Sequence, residues 1–257
     1  MTRFVRYRAG AHTAYGILED GVVTEVEGTL FEHKLTSVRR KLSEVTLLYP
    51  GTPGKILAVG RNYTSHFGTR PQPTHPEIFY KPISCLQHPD GPVVIPPDST
   101  DLHHEAELVL VIGKRVRHAS RAEAEAAIFG VTCGNDISDR AWQGWQGSPA
   151  KDLQWWRAKG CDTFGPLGPV VVTGADYGNL RVQCRLNGEV VQDQSTADLI
   201  FDCATVVSFI SRYLTLEQGD LIFTGTPGET RPMKPGDVVE VEIENIGVLR
   251  NPMVAES

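Results

Sequence analysis

A mostly β (α+β) architecture, sandwich or barrel-like, is the expectation for this 257-residue chain. Three features carry it: short apolar runs recur along the whole length, Gly- and Pro-rich turns separate them, and few segments show helical spacing. The length suits one large domain, or a large domain with a small appendage. A net charge of −6 without a Lys/Arg cluster argues against a nucleic-acid or anionic-membrane partner, either of which needs a concentrated basic face. The start, MTRFVRYRAG, lacks the apolar core of a signal peptide, and no run approaches a membrane span. Five scattered cysteines without a C-x-x-C read as reduced thiols, so a cytoplasmic location is expected.

Taken in order, residues 1–52 form a small β-rich unit. Within it, TAYGILEDGVVTEVEG is two apolar runs joined at Asp20-Gly21, a hairpin signal. The Pro/Gly stretch PGTPGK (50–55) marks the boundary, and the main unit covers 53–257. There KILAVGRNY reads as a buried strand and GPVVIPPDS as a short one stopped by prolines. AELVLVIG, FGVTCGND, FGPLGPVVVTG, RVQCRLNGEVVQD (a hairpin turning at Asn187-Gly188), DLIFTG and DVVEVEIENIGVL continue the series. Helices are expected at SRAEAEAAIFG, with a Ser120/Glu123 capping box and Gly130 as its stop, and at DCATVVSFISRYL, with Asp202 as N-cap.

The chemistry concentrates at DLHHEAELVLVIG (101–113). Alternation along a strand puts His103, Glu105, Glu107 and Val109 on one side, with the two glutamates about 6–7 Å apart between Cα atoms. In VVEVEIENIG, Glu240, Glu242 and Glu244 alternate with Val239, Val241 and Ile243 and read as a solvated face. Glu105 and Glu107 instead lead into a run that is apolar on both faces, where a charge costs several kcal/mol unless it is paired or holds a cation. Asp136, at the end of another apolar run, is the candidate third ligand. Three carboxylates without clustered His or paired Cys ligands suit a hard ion: Mg²⁺, Mn²⁺ or Ca²⁺. His103 and His104 are expected to pack or hydrogen-bond rather than ligate.

These pieces, in this order, resemble the fumarylacetoacetate hydrolase family over roughly residues 55–253. The resemblance rests on AVGRNYTSH, FYKP, HHEAELVLVIGK, GNDISDRAWQ, AKGCDTFGPLGP, LNGEVVQD, GDLIFTGTPG and KPGDVVEVEIENIGVLRNP. It implies a twisted, rolled-up β fold around a central metal site, with Glu105, Glu107 and Asp136 as ligands of Mg²⁺ or Mn²⁺, and a homodimer. It also implies His66 as general base and Lys159 as the active-site cation, with Arg140, Gln143 and Thr226 contacting substrate. The expected reaction is metal-dependent hydrolysis of a C–C bond in a small 2,4-dioxo acid such as an acylpyruvate, through an enolate that the ion stabilises. The alternatives are decarboxylation or keto–enol tautomerisation of an oxaloacetate-like 2-oxo acid, and a metal-binding member without turnover.

Two departures from the family pattern bear on that choice. Thr69 stands where relatives carry the glutamate of His-x-x-Glu, and a hydroxyl cannot take a proton from water at neutral pH. Either Glu77 replaces that carboxylate or the chemistry needs no activated water. Ala141 stands where many relatives have an acid. All four tryptophans (Trp142, Trp145, Trp155, Trp156) lie between Asp136 and Lys159. They read equally well as a lid over the pocket or as an interface cluster.

Overall fold

A computed structural model describes residues 1–68, 71–144 and 147–256. Thr69 and Trp145 lie outside the described residues. The fold is mostly β: a large mixed sheet, a five-stranded sheet packed against it and a two-stranded ribbon. Among the described residues no helix is long and apolar enough to cross a membrane, and the five cysteines are free thiols.

The N-terminal strands Thr2–Ala9, His12–Glu19, Val22–Gly28 and His33–Lys41 form an antiparallel meander, turning at Asp20-Gly21 as expected. They continue the large sheet, because Thr2–Ala9 pairs with Gly165–Thr173, with Phe4 opposite Val171. Beyond that junction the sheet runs through Ile128–Asn135, Ala106–Ile112, Leu221–Phe223, Ile56–Gly60 and Glu77–Lys81. Ala106–Ile112 is buried at every residue, Glu107 included, as a central strand whose run Leu108–Ile112 is apolar on both faces requires. In the five-stranded sheet, Val239, Val241 and Ile243 point into the core. The alternate glutamates Glu240 and Glu242 reach Arg185 at 3.2 and 2.5 Å on the outer side.

This topology gathers four strand ends on one edge. Ala106 pairs with Asn135, so the start of one central strand lies beside the end of its neighbour. The ends of the parallel strands Leu221–Phe223 and Ile56–Gly60 come up next to them. Glu105, Asp136, the turn Thr224-Gly225-Thr226 and the segment leading to His66 therefore leave the sheet at the same place.

Two expectations are corrected. His103 and Glu107 do not share a continuous strand: Leu102–His103 pairs with Ser138–Asp139 in the separate ribbon, and the main strand starts at Ala106. Side chains take the backbone bonds at the break, since the Glu105 N–H donates to Asn135 Oδ1 at 2.8 Å and the Ala106 N–H to Gln192 Oε1 at 3.2 Å. Gly130 is not a helix stop. The capping box Ser120/Glu123 forms, but the helix spans only Arg121–Glu125 and Gly130 lies inside the strand Ile128–Asn135. A Cβ at Gly130 would lie 2.6 Å from the Val172 carbonyl oxygen and 2.9 Å from Val171 Cγ1. The close approach of the neighbouring strand, not helix termination, demands glycine there. Gly130→Ala is accordingly expected to destabilise the protein by about 1–3 kcal/mol through overpacking. Urea unfolding checks this: a midpoint unchanged from wild type would show that the strands can separate without cost.

Candidate metal and active site

Glu105, Glu107 and Asp136 each offer an oxygen atom such that all three atoms lie within 4.8 Å of one another, and all three residues are buried. The backbone fixes two of them directly, since the Asp136 N–H donates to the Glu105 carbonyl at 2.9 Å. Such a cluster in low dielectric demands positive charge. Part of it comes from the chain itself. Lys159 Nζ lies 2.6 Å from Glu105 Oε2 and 2.7 Å from Asp136 Oδ2. Lys81 Nζ lies 2.7 Å from Asp136 Oδ1 and also donates to the Lys159 and Phe164 carbonyls. Arg140 Nη1 lies 2.6 Å from Glu105 Oε1.

The compensation is uneven. Burial alone would raise the Glu105 carboxyl, but the charges of Lys159 and Arg140 outweigh it and hold that pKa well below the ordinary carboxylate range. Burial lowers Lys81, and the Asp136 charge beside it more than restores it, so its ammonium stays protonated. Glu107 is different. Burial, then the neighbouring charges of Asp136 and Glu105, push its pKa well up. Among the described residues its hydrogen-bond partner is the Gly225 N–H, at 2.6 Å. Gly225 has φ 104°, and a Cβ there would meet Asn62 Cβ at 2.8 Å, so only glycine presents that N–H. The donor set fits a divalent cation: three buried carboxylates from two strand ends would hold the ion.

The other expected residues lie around this cluster. His66, in the one-turn helix Thr64–Phe67, has Nδ1 2.8 Å from the Gly228 carbonyl and Nε2 3.9 Å from Glu105 Oε1. A carbonyl can only accept, so Nδ1 carries the proton and the Nε2 lone pair faces the cluster. Burial lowers the His66 pKa, which keeps the ring neutral. Gln143 Oε1 accepts from Arg140 Nη1 at 2.6 Å. Thr226 Oγ1 donates to the Ala106 carbonyl at 3.0 Å and accepts from Gln192 Nε2 at 2.9 Å. Arg61, Phe79, Gln143, Trp155, Lys159 and Thr226 line a cavity of about 180 Å³ with Glu105 in its wall.

His103 and His104 hydrogen-bond, as expected, and are not in the cluster. His104 Nδ1 donates to Gln192 Oε1 at 3.1 Å, Nε2 accepts from the Arg231 N–H at 3.1 Å, and burial takes its pKa down to about 4. Glu77 is paired with the Arg61 guanidinium, so its carboxylate is committed to that ion pair rather than to His66. The tryptophans divide. Trp155 lines the cavity with its ring edge-on to Phe79, Trp142 is buried under the Arg157 guanidinium, and Trp156 is exposed.

Sequence reasoning missed Lys81, Gln192 and Asn135. A lone lysine closing an apolar strand in FYKP was the available signal for the first. Asn135 closes an apolar strand and Gln192 is the buried residue of a largely polar, exposed one, and only the three-dimensional pairing gives them their roles.

The family model described as fumarylacetoacetate (FAA) hydrolase C-terminal matches residues 55–254, and a Rv2993c-like N-terminal model matches residues 2–50. The chain belongs to the fumarylacetoacetate hydrolase family of enzymes. Among its relatives, the mitochondrial oxaloacetate tautomerase FAHD2A of Bos taurus is 40% identical over 245 residues, covering 87% of this chain and 77% of the other. The 2-hydroxyhepta-2,4-diene-1,7-dioate isomerase of Mycobacterium marinum has a similar structure, with a TM-score of 0.91 at 36% identity and 100% of each chain covered. The 5-carboxymethyl-2-hydroxymuconate delta-isomerase of Mycobacterium smegmatis gives 0.90 at 37% identity, over 99% of this chain and 100% of the other.

The asymmetry among the three carboxylates is testable without substrate. In metal-free protein Glu107→Gln removes like-charge repulsion while keeping an acceptor for the Gly225 N–H, so the melting temperature should rise by a few degrees. Asp136→Asn takes the counter-charge from two buried lysines and should cost about 3–5 kcal/mol. Thermal unfolding under chelator distinguishes the two, and equal losses in both variants would refute the charge assignment.

Proposed function

We propose that the protein is a Mg²⁺-dependent keto–enol tautomerase of a short, oxaloacetate-like 2-oxo dicarboxylic acid. The observation that carries this reading is the fixed His66 tautomer: a lone pair aimed at the metal cluster, on a ring oriented by a backbone carbonyl. A carbonyl orients the imidazole without lending it the negative charge that a carboxylate partner supplies. Tautomerisation moves a proton and needs no water nucleophile, whereas hydrolysis needs a water both held and deprotonated. The names of the tautomerase and isomerase relatives support the same reaction class. Gln143, Lys159 and Thr226 line a cavity of about 180 Å³, His66 and Arg140 line another of about 530 Å³, and a short 2-oxo acid would lie at Glu105, which bonds Lys159 and Arg140.

In this reading His66 Nε2 takes a proton from the carbon next to the keto group, the electron pair moves toward the keto oxygen, and that oxygen then takes up a proton from the imidazolium or from solvent to give the enol. Lys159, in the cavity wall, stabilises the charge developing on that oxygen. Arg140 and Gln143 orient the substrate carboxylate, and Thr226 with Gln192 holds the turn that forms the floor. When bound at Glu105, Glu107 and Asp136, Mg²⁺ would supply Lewis-acid polarisation of the keto group; Mn²⁺ suits the same oxygen donors. Hydrolysis of 2,4-dioxo acids is the second reading, favoured by the family's defining activity and by the ability of a neutral histidine to activate water. The free thiols fit a reducing cytoplasm. A homodimer is supported by the exposed apolar side chains Tyr80, Ile83 and Trp156 around one broad hollow.

The test is a panel of oxaloacetate and acylpyruvates with Mg²⁺ or Mn²⁺, following the enol absorbance and identifying products. Oxaloacetate should tautomerise fast while acylpyruvates are cleaved slowly. His66→Ala should lower tautomerisation about 10²–10⁴-fold with Mn²⁺ binding unchanged. Efficient acylpyruvate cleavage with slow tautomerisation would establish the second reading instead.

A further inference from the structure

A second polar network, outside the metal cluster, ends on Arg140. Three segments converge there. Leu102–His103 pairs with Ser138–Asp139, the Arg140 N–H donates to the Asp101 carbonyl at 2.8 Å, and the Met233 N–H donates to the Leu102 carbonyl at 2.7 Å. The segment Asp101–His103 is thereby clamped between the start of the Arg140 helix and the loop carrying Thr230. The side chains continue the connection. Arg140 Nη2 lies 2.9 Å from Thr230 Oγ1, Thr230 Oγ1 lies 2.8 Å from His103 Nδ1, and His103 Nε2 lies 2.9 Å from Asp101 Oδ1.

Donor chemistry gives this chain one direction. A guanidinium only donates, so the Thr230 oxygen accepts from Arg140 and its own proton goes to His103 Nδ1. That leaves His103 Nε2–H to donate to the Asp101 carboxylate. Each bond polarises the next, so the Thr230 oxygen becomes a better acceptor for the cation than an isolated hydroxyl. The other amino group of Arg140, Nη1, lies between Glu105 Oε1 and Gln143 Oε1. A cation arriving on Glu105 competes with Nη1 for that carboxylate, and the bond from Nη2 to Thr230 is made on the other side of the guanidinium.

We propose that Thr230, backed by His103 and Asp101, is a positioning residue that keeps Arg140 aimed into the site, so that the guanidinium turns from Glu105 to the substrate carboxylate without leaving. The inference rests on the reading of Arg140 as a contact for the 2-oxo acid. Its effect falls on substrate binding rather than on the proton transfer, because Thr230 bonds the Arg140 guanidinium and His103 rather than His66 or Lys159. A hydroxyl at position 230 is what the device needs, whether threonine or serine.

The experiment compares wild type with Thr230→Val and Thr230→Ser by two readouts. The first is rotation about the Arg140 Cζ–Nε bond, followed by nitrogen NMR of the guanidinium in the metal-free protein, with Arg140→Lys to assign the signal. Rotation should be slow in wild type and Thr230→Ser and faster in Thr230→Val. The second is steady-state kinetics with oxaloacetate and Mg²⁺. Thr230→Val should raise KM about 10–100-fold, as expected for losing a hydrogen bond to a charged group, with kcat within about threefold and with Thr230→Ser restoring KM. Unchanged rotation in Thr230→Val, or a fall in kcat with KM constant, would overturn the proposal. Wild-type protein inactive on oxaloacetate would count against the proposed function alone, and the guanidinium rotation would still decide whether Thr230 holds Arg140.

Discussion

Three carboxylates forced into one buried pocket set the terms for everything around them. Glu105, Glu107 and Asp136 bring their oxygens within 4.8 Å of one another, and no arrangement of neutral neighbours makes that tolerable in low dielectric. Lys159 bridges two of the three, Lys81 holds Asp136 from behind, and Arg140 covers the outer oxygen of Glu105. Glu107 receives a backbone N–H rather than a cationic side chain. The remaining deficit sits at one carboxylate, and a divalent ion held there would remove it.

The rest of the fold makes this concentration of charge possible. Four strand ends meet at one edge of the sheet, so residues adjacent in space come from distant parts of the chain. The break at His104-Glu105 has a purpose in this scheme. It releases Glu105 from the ladder while Asn135 and Gln192 supply the missing backbone partners. Gln192 also bonds Thr226 and His104, so one buried amide ties the metal strand to the Gly-rich turn. The apolar core around Leu108 and Leu110 gives that framework its rigidity, and catalytic geometry depends on such rigidity.

Much of this was legible from residue types alone. The strands, the hairpin at Asp20-Gly21, the solvated glutamates of Val238–Ile243 and the Ser120/Glu123 capping box follow local rules of periodicity and turn chemistry. The carboxylate pair stood out because charge leading into a doubly buried strand has no bland explanation. What escaped notice was non-local. Lys81 binds Asp136 across 55 positions and Thr230 binds Arg140 across 90, and no periodicity encodes such pairings. Gly130 shows a different failure. Its helix-stop signal is a good one locally, but the approach of Val172 is a tertiary demand that only the folded sheet reveals. Glu77 was close to His66 in sequence, yet the Arg61 guanidinium takes it.

The site therefore combines a charge-deficient carboxylate, a neutral histidine of fixed tautomer and cations already bonded to the prospective ligands. Whether these three carboxylates hold one divalent ion is tested most directly by titrating the metal-free protein with Mn²⁺ and counting free ion by its electron paramagnetic resonance signal. The expected result is a single saturable site per chain that Mg²⁺ empties by competition. Binding that is absent, or that persists unchanged when Glu105 and Asp136 are both replaced by their amides, would contradict it.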